Sequence, residues 1–110
     1  MRKIIPLSLL AGLAVWVPGA GAGSPTRATV VIKDFSYTPA TVTIKKGGTV
    51  TWVWRGNIDH NVNGGSFRSP MLGNNKPKSW YKKFTRTGTF AYYCDPHKSF
   101  MKGKVVVRSS

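Results

Sequence analysis

Beyond its first two dozen residues the chain carries five imidazole or sulfur side chains, the chemically unusual ones: His60, His97, Cys94, Met71 and Met101. Three of them fall within Cys94-Asp95-Pro96-His97-Lys98-Ser99-Phe100-Met101. Taken singly, each has an ordinary reading. A lone histidine is most often a surface group, an inward cysteine a small buried hydrophobe, and a methionine near a chain end a core residue. Together, Cys-x2-His-x3-Met plus an upstream histidine brings a thiolate, two imidazoles and a thioether into one short list. That is the donor set of a trigonal copper electron-transfer centre with a weak axial sulfur. Zinc fits less well, because its structural sites take four Cys or His ligands and its catalytic ones favour His and carboxylate. A c-type haem is excluded, since its attachment needs a second cysteine and Cys94 is the only one.

The elements that must carry these residues read as strands. Thr29 to Lys33 is β-branched, and Thr41-Val42-Thr43-Ile44-Lys45 alternates with the period of a half-buried strand. After the Lys46-Gly47-Gly48 turn, Thr49 to Trp54 places Val50, Trp52 and Trp54 on one face. Further strands are expected at His60 to Asn63, Trp80 to Thr85, Thr89 to Cys94 and Lys104 to Arg108, with one long loop from Gly64 to Lys78. Phe90, Tyr92 and Cys94 share a face, so the thiol points inward and Tyr93 outward. No segment shows a helical period. Short strands separated by turn signals predict an all-β fold, an antiparallel sandwich or barrel of about seven strands. The loop after Cys94, turned by Pro96, is expected to aim His97 and Met101 at the thiol, with His60 arriving from another strand.

Composition removes other functions. Of 110 residues 41% are apolar, with 12 Gly and 7 Pro, as in a compact loop-rich domain. Asp34, Asp59 and Asp95 are the only acids, so paired-carboxylate catalysis has almost nothing to work with. Residues 1–22 read as a signal peptide: Arg2 and Lys3, then the apolar run Ile4 to Val17, then Ala20-Gly21-Ala22 as a cleavage site. The run is too short to span a bilayer comfortably, so residues 23–110 are expected as one exported domain, periplasmic or extracellular, without a transmembrane anchor. Losing Arg2 and Lys3 from 17 basic residues leaves 15 against 3 acids, about +12.

From about Thr29 to Arg108 the chain resembles the cupredoxins, in particular the plastocyanin and amicyanin type. The resemblance rests on Phe35 to Ile44, Lys46-Gly47-Gly48-Thr49-Val50-Thr51-Trp52, His60-Asn61-Val62, Tyr92-Tyr93-Cys94-Asp95-Pro96-His97 and Met101 to Val107. It implies a Greek-key β-sandwich of seven to eight strands. It also implies one type 1 copper, cycling between Cu(I) and Cu(II), bound by His60, Cys94, His97 and Met101. Three residues separate His97 from Met101 where the family commonly has two or four, which leaves Met71 as the alternative axial donor. Asp95 stands where relatives often have Ser or Thr, bringing a carboxylate near the copper. Asn61, directly after a ligand, is expected to hydrogen-bond across to the other ligand loop.

The resemblance further implies that His97 is the exposed edge for electron exit, inside an apolar patch of Pro96 and Phe100 with Met71 and Leu72, and that Tyr93 marks a second exit. Lys98 and Lys102 would steer redox proteins with an acidic docking surface. The expected function is single-electron carriage by a monomer that is not an enzyme, because two histidines cannot build further copper centres. A copper carrier would use the same ligands. A binder of anionic polymer or nucleic acid is the third reading, from Lys76, Lys78, Lys82, Lys83 and Arg86 around Trp80 and Tyr81; no sequence-specific nucleic-acid motif accompanies them.

Overall fold

The computed structural model of the protein describes residues 23–74 and 78–110. The expected signal peptide and Lys76 lie outside the described residues. Among the described residues seven strands form two sheets: β1 (Arg27–Lys33), β2 (Ser36–Thr38), β3 (Thr41–Lys45), β4 (Thr49–Trp54), β5 (Lys78–Lys83), β6 (Gly88–Tyr93) and β7 (Lys102–Arg108). One sheet runs β2-β1-β4-β5 and the other β3-β7-β6. Packed face to face, they make the expected Greek-key β-sandwich.

Two pairings depart from the antiparallel expectation. β1 pairs with β4 in parallel, Arg27 opposite Thr49 through Ile32 opposite Trp54, and β3 pairs with β7 in parallel, Thr41 opposite Lys104 through Lys45 opposite Arg108. Strand direction follows from how the chain crosses between sheets, which period-2 alternation within one strand does not encode. Further differences are local. Ser36–Thr38 forms a short strand that three residues were too few to announce, and β5 begins at Lys78 and stops at Lys83. The strand expected at His60 to Asn63 is absent. Those residues instead make isolated bridges, His60 to Leu72 and Asn63 to both Arg68 and Tyr93.

Alternation does decide what is buried. In β4, Val50, Trp52 and Trp54 are buried while Thr49, Thr51 and Val53 are half-buried. They meet Val30 and Ile32 of β1, Val42 and Ile44 of β3, Tyr92 of β6, and Val105 and Val107 of β7 in one core. Within it Tyr92 packs edge-on against Tyr37 and Trp52, with ring centroids 4.7 and 5.4 Å away. The sheet edge β5 contributes no buried side chain. It carries Lys78, Lys82 and Lys83, which discourage pairing with another chain. At one end of this sandwich β4 ends, β6 ends and β7 begins, and the candidate ligands emerge there.

Candidate metal centre

Cys94 follows β6 immediately and is fully buried, as its face-sharing with Tyr92 requires. The chain then turns through a short 3-10 helix, Asp95–His97, with Pro96 in its first turn. Backbone bonds from Cys94 N–H to the Met101 carbonyl (3.1 Å) and from Met101 N–H to the His97 carbonyl (2.9 Å) close the loop before β7. His60 approaches from the segment after β4 and is 0% exposed. Its backbone is clamped: Trp54 Nε1–H donates to the His60 carbonyl at 2.8 Å, and the Tyr37 hydroxyl donates to the Asn61 carbonyl at 2.5 Å.

These elements bring one donor atom each from His60, Cys94 and His97 within 4.8 Å of one another. Cys94 Sγ lies 3.7 Å from His60 Nδ1 and 3.4 Å from His97 Nδ1, so both imidazoles present the same nitrogen to the sulfur. Burial pushes the Cys94 thiol up from its ordinary range, opposed by backbone N–H groups of Asn61 and His97. A buried sulfur facing two ring nitrogens is satisfied as a thiolate by a cation in the space between the three. Soft sulfur with two imidazoles suits copper, so the donor set fits the metal. Of the two methionines, Met101 is buried in the closed loop, whereas Met71 is 45% exposed.

Asp34 was not foreseen. From the turn between β1 and β2 its Oδ1 accepts the His60 Nε2–H at 2.6 Å, the carboxylate being able only to accept. That fixes the tautomer leaving Nδ1 free to face Cys94. Asp34 is held in turn by the backbone N–H groups of Asn57 (2.9 Å) and Ile58 (3.1 Å). These bonds, with the one from His60, keep its carboxyl below the usual range. Gly56 makes the approach possible, since a Cβ there would overlap the carboxylate. The available sequence signal was scarcity: an acid in a chain with three of them.

Asn61 and Asp95 tie the two ligand segments together. Asn61 Nδ2–H donates to Asp95 Oδ2 at 2.7 Å, and Asp95 N–H donates to Asn61 Oδ1 at 2.8 Å. Asp95 Oδ1 also accepts from Asn63 Nδ2 at 2.9 Å, and Arg68 stands 3.5 Å from Oδ2. Bonds from Asn63 and Asn61 hold the Asp95 carboxyl below its ordinary range. Both carboxylate oxygens are thus engaged by amides and a guanidinium.

Around His97 lies the apolar rim. Phe100 is 62% exposed and Phe35, also unforeseen, 46%. Phe35 stands edge-on to His60 and His97, at 5.7 and 4.9 Å between centroids, and so covers both rings. Ile58, Met71 and Pro96 are exposed, and Leu72 is half-buried beside His60. Tyr93, expected to face outward, is half-buried: Lys98 Nζ lies 5.3 Å over its ring, and Asn63 Nδ2–H reaches its hydroxyl at 3.4 Å. Lys98 and Lys102 are exposed.

Comparison with known proteins agrees with this geometry. Residues 26–108 match the model of the copper-binding proteins of the plastocyanin/azurin family. Amicyanin of Paracoccus denitrificans is 37% identical over 98 residues, covering 82% of this chain and 72% of its own. Plastocyanin of Scenedesmus fuscus is 36% identical over 84 residues, covering 66% of this chain and 86% of its own. The structure of an oxidised amicyanin mutant superposes with a TM-score of 0.65 at 32% identity, covering 84% of this chain and 89% of that one. The chain belongs to the plastocyanin/azurin family of copper-binding proteins, the cupredoxins, and is a copper electron-transfer protein.

Proposed function

We propose that this protein is an exported one-electron carrier whose copper is held by His60, Cys94 and His97, with Met101 as the weak axial ligand. The observation that carries the reading is the 4.8 Å cluster of one imidazole, one thiol and a second imidazole at a single end of the sandwich. Copper supplies the Cu(I)/Cu(II) couple, and the remaining work belongs to the chain. Asp34 and Phe35 orient His60 from one side. The Asn61–Asp95 bonds lock the His60 segment to the Cys94 loop, so the donors change little between oxidation states. A site that need not rearrange transfers electrons readily. His97, half-buried behind Phe35 and Phe100, is the edge closest to solvent through which an electron passes.

Export rests on the leader pattern of residues 1–22. Redox proteins with acidic surfaces are the partners that Lys98, Lys102 and a net charge near +12 favour, as steered encounters around the apolar rim. The protein acts as a monomer, and the same ligands in a copper carrier would differ in exchanging the metal quickly. The test is spectroscopic. Protein loaded with Cu(II) should be intensely coloured by the thiolate–copper bond and show a narrow copper hyperfine pattern. Cys94→Ser should abolish both. A variant that keeps them removes the only thiol from the ligand set, and rapid loss of copper to a mild chelator would favour the carrier reading.

A further inference from the structure

The acidic side chains of this chain all sit at the donor end of the sandwich. Asp34 bonds His60, Asp59 precedes His60, and Asp95 follows Cys94. The opposite end has no acidic side chain. Strand register sets Arg27 of β1 level with Thr49 of β4 and Thr49 level with Lys83 of β5, and in the other sheet Lys45 level with Arg108. At that level Lys46 N–H bonds the Arg108 carbonyl (2.7 Å) beside the β3–β7 pair and Thr49 N–H the Thr26 carbonyl (2.9 Å) beside the β1–β4 pair, while Gly47 N–H to the Phe84 carbonyl (2.7 Å) and Lys45 N–H to the Pro25 carbonyl (2.8 Å) tie the two sheets together. The turns closing this end add Lys46 and Arg86. The result is one rim carrying Arg27, Lys45, Lys46, Lys83, Arg86 and Arg108, all exposed. Strands of six residues set it about 20 Å from the donor cluster, beyond a Debye length of about 8 Å, so the carboxylates do not neutralise it.

Two observations narrow what such a rim meets. Of the exposed large apolar side chains, Phe35, Ile58, Met71 and Phe100 are at the donor end, and only Tyr81 of β5 lies beside the rim, sharing a surface pocket with Arg27. A single aromatic beside the rim is short of the row of platforms on which successive bases of a single strand stack. Second, the chain enters the fold here. Ser24 Oγ–H reaches the Ser110 carbonyl at 3.4 Å, and Lys45 N–H bonds the Pro25 carbonyl at 2.8 Å. The apolar run Ile4 to Val17 precedes this point by only a few residues. While the leader is attached, the cationic rim is the part of the domain nearest the membrane.

We infer that this rim is an electrostatic docking surface for an anionic lipid bilayer, holding the domain with the His97 edge turned away from the membrane and toward soluble partners. Attraction to a plane of lipid phosphates is worth about fivefold in partitioning for each Lys or Arg near the surface.

The experiment uses residues 23–110, which contain all seven strands and the whole core. Sedimentation with vesicles of about 30% phosphatidylglycerol in phosphatidylcholine, against pure phosphatidylcholine, at about 50 mM salt measures partitioning. The copper-free protein serves, so the result stands apart from the electron-transfer reading. Wild type should bind the anionic vesicles only. The combined variant Lys45→Gln, Lys46→Gln, Lys83→Gln, Arg86→Gln should bind at least tenfold more weakly. The control with equal charge loss at the donor end, Lys33→Gln, Arg55→Gln, Lys102→Gln, Lys104→Gln, should lose less than threefold. Near-ultraviolet circular dichroism checks that both variants are folded, and if the rim variant is not, the single substitutions Lys46→Gln and Arg86→Gln carry the test. Equal losses in the two sets, or no preference of wild type for anionic vesicles, overturns the inference. So does tighter binding to duplex DNA than to vesicles at matched phosphate, which would assign the rim to nucleic acid.

Discussion

Met101 serves two purposes, and substitutions can separate them. It is 1% exposed within the core, and its backbone closes the ligand loop through Cys94 and His97. Met101→Ala deletes three heavy atoms from close packing. Truncations of this kind cost about 2–5 kcal/mol, the spread depending on how far the site collapses. In a domain of this size each kcal/mol moves the melting temperature by about 4–8 °C, so a cost of about 3 kcal/mol lowers it by about 12–24 °C. Because that loss is one of packing, it should appear in the copper-free protein. Met101→Leu nearly conserves volume and should cost less than about 1.5 kcal/mol. The reduction potential of the loaded protein reports the axial role. Leu offers no donor and should raise the potential by destabilising Cu(II), whereas Met101→Gln offers a harder oxygen and should lower it. Thermal melts of the apoproteins and potentiometric titrations of the copper forms supply both readouts. Potentials unmoved, or moved in the same direction by Leu and Gln, would remove Met101 from the ligand set. An Ala variant melting within about 5 °C of wild type would refute the packing argument.

His97→Gly should regain its colour on addition of imidazole, because His97 is half-exposed, whereas His60→Ala should not, because His60 is fully buried behind Phe35; equal rescue in titrations of the two would contradict this geometry. Asp34→Asn keeps an acceptor near His60 but removes the charge. Copper affinity, followed by competition with a chelator, should fall by about tenfold and the potential should rise, while unchanged values would leave Asp34 a purely structural residue. Burial raises Tyr92 from 10.0 to about 12 and Tyr37 higher still, so above pH 10 the unfolded chain loses these protons first and stability falls as pH rises. Urea midpoints of the apoprotein should therefore decline above pH 10, with a slope of up to about 1.4 kcal/mol per pH unit for each tyrosine. Tyr92→Phe, whose lost hydroxyl has no hydrogen-bond partner among the described residues, should remove one share of that slope without lowering stability at pH 7. Electron transfer with an acidic redox partner should slow steeply with added salt, and charge reversal at Lys98 or Lys102 should flatten that dependence in stopped-flow rates.

The sequence by itself determined the chemistry and the burial. Donor types and their spacing around Cys94 are local facts, and a strand's period of two decides that Trp52 and Trp54 go inward whatever they pack against. For the same reason the sandwich class and six of the seven strands were legible, the count agreeing only because the unannounced Ser36–Thr38 stands in for the strand expected at His60 to Asn63. What lay outside local reach was everything made by two distant segments meeting. The parallel pairing of β1 with β4 and of β3 with β7 depends on where the chain crosses between sheets. The His60 segment alternates like a strand but bridges to Leu72, because the 64–74 loop folds back beside it. Asp34 and Phe35 gave no sign of a role, since nothing in a turn 26 residues before His60 indicates that Oδ1 will meet Nε2. Asn61 was suspected from adjacency alone, but its partner Asp95 stands 34 residues away, and only the closed sandwich sets the two 2.7 Å apart. The gathering of every acidic side chain at one end of the fold and of six cations at the other has the same origin. Strand register turns residues scattered along the chain into neighbours at one level of a sheet, and that register is a property of the tertiary structure.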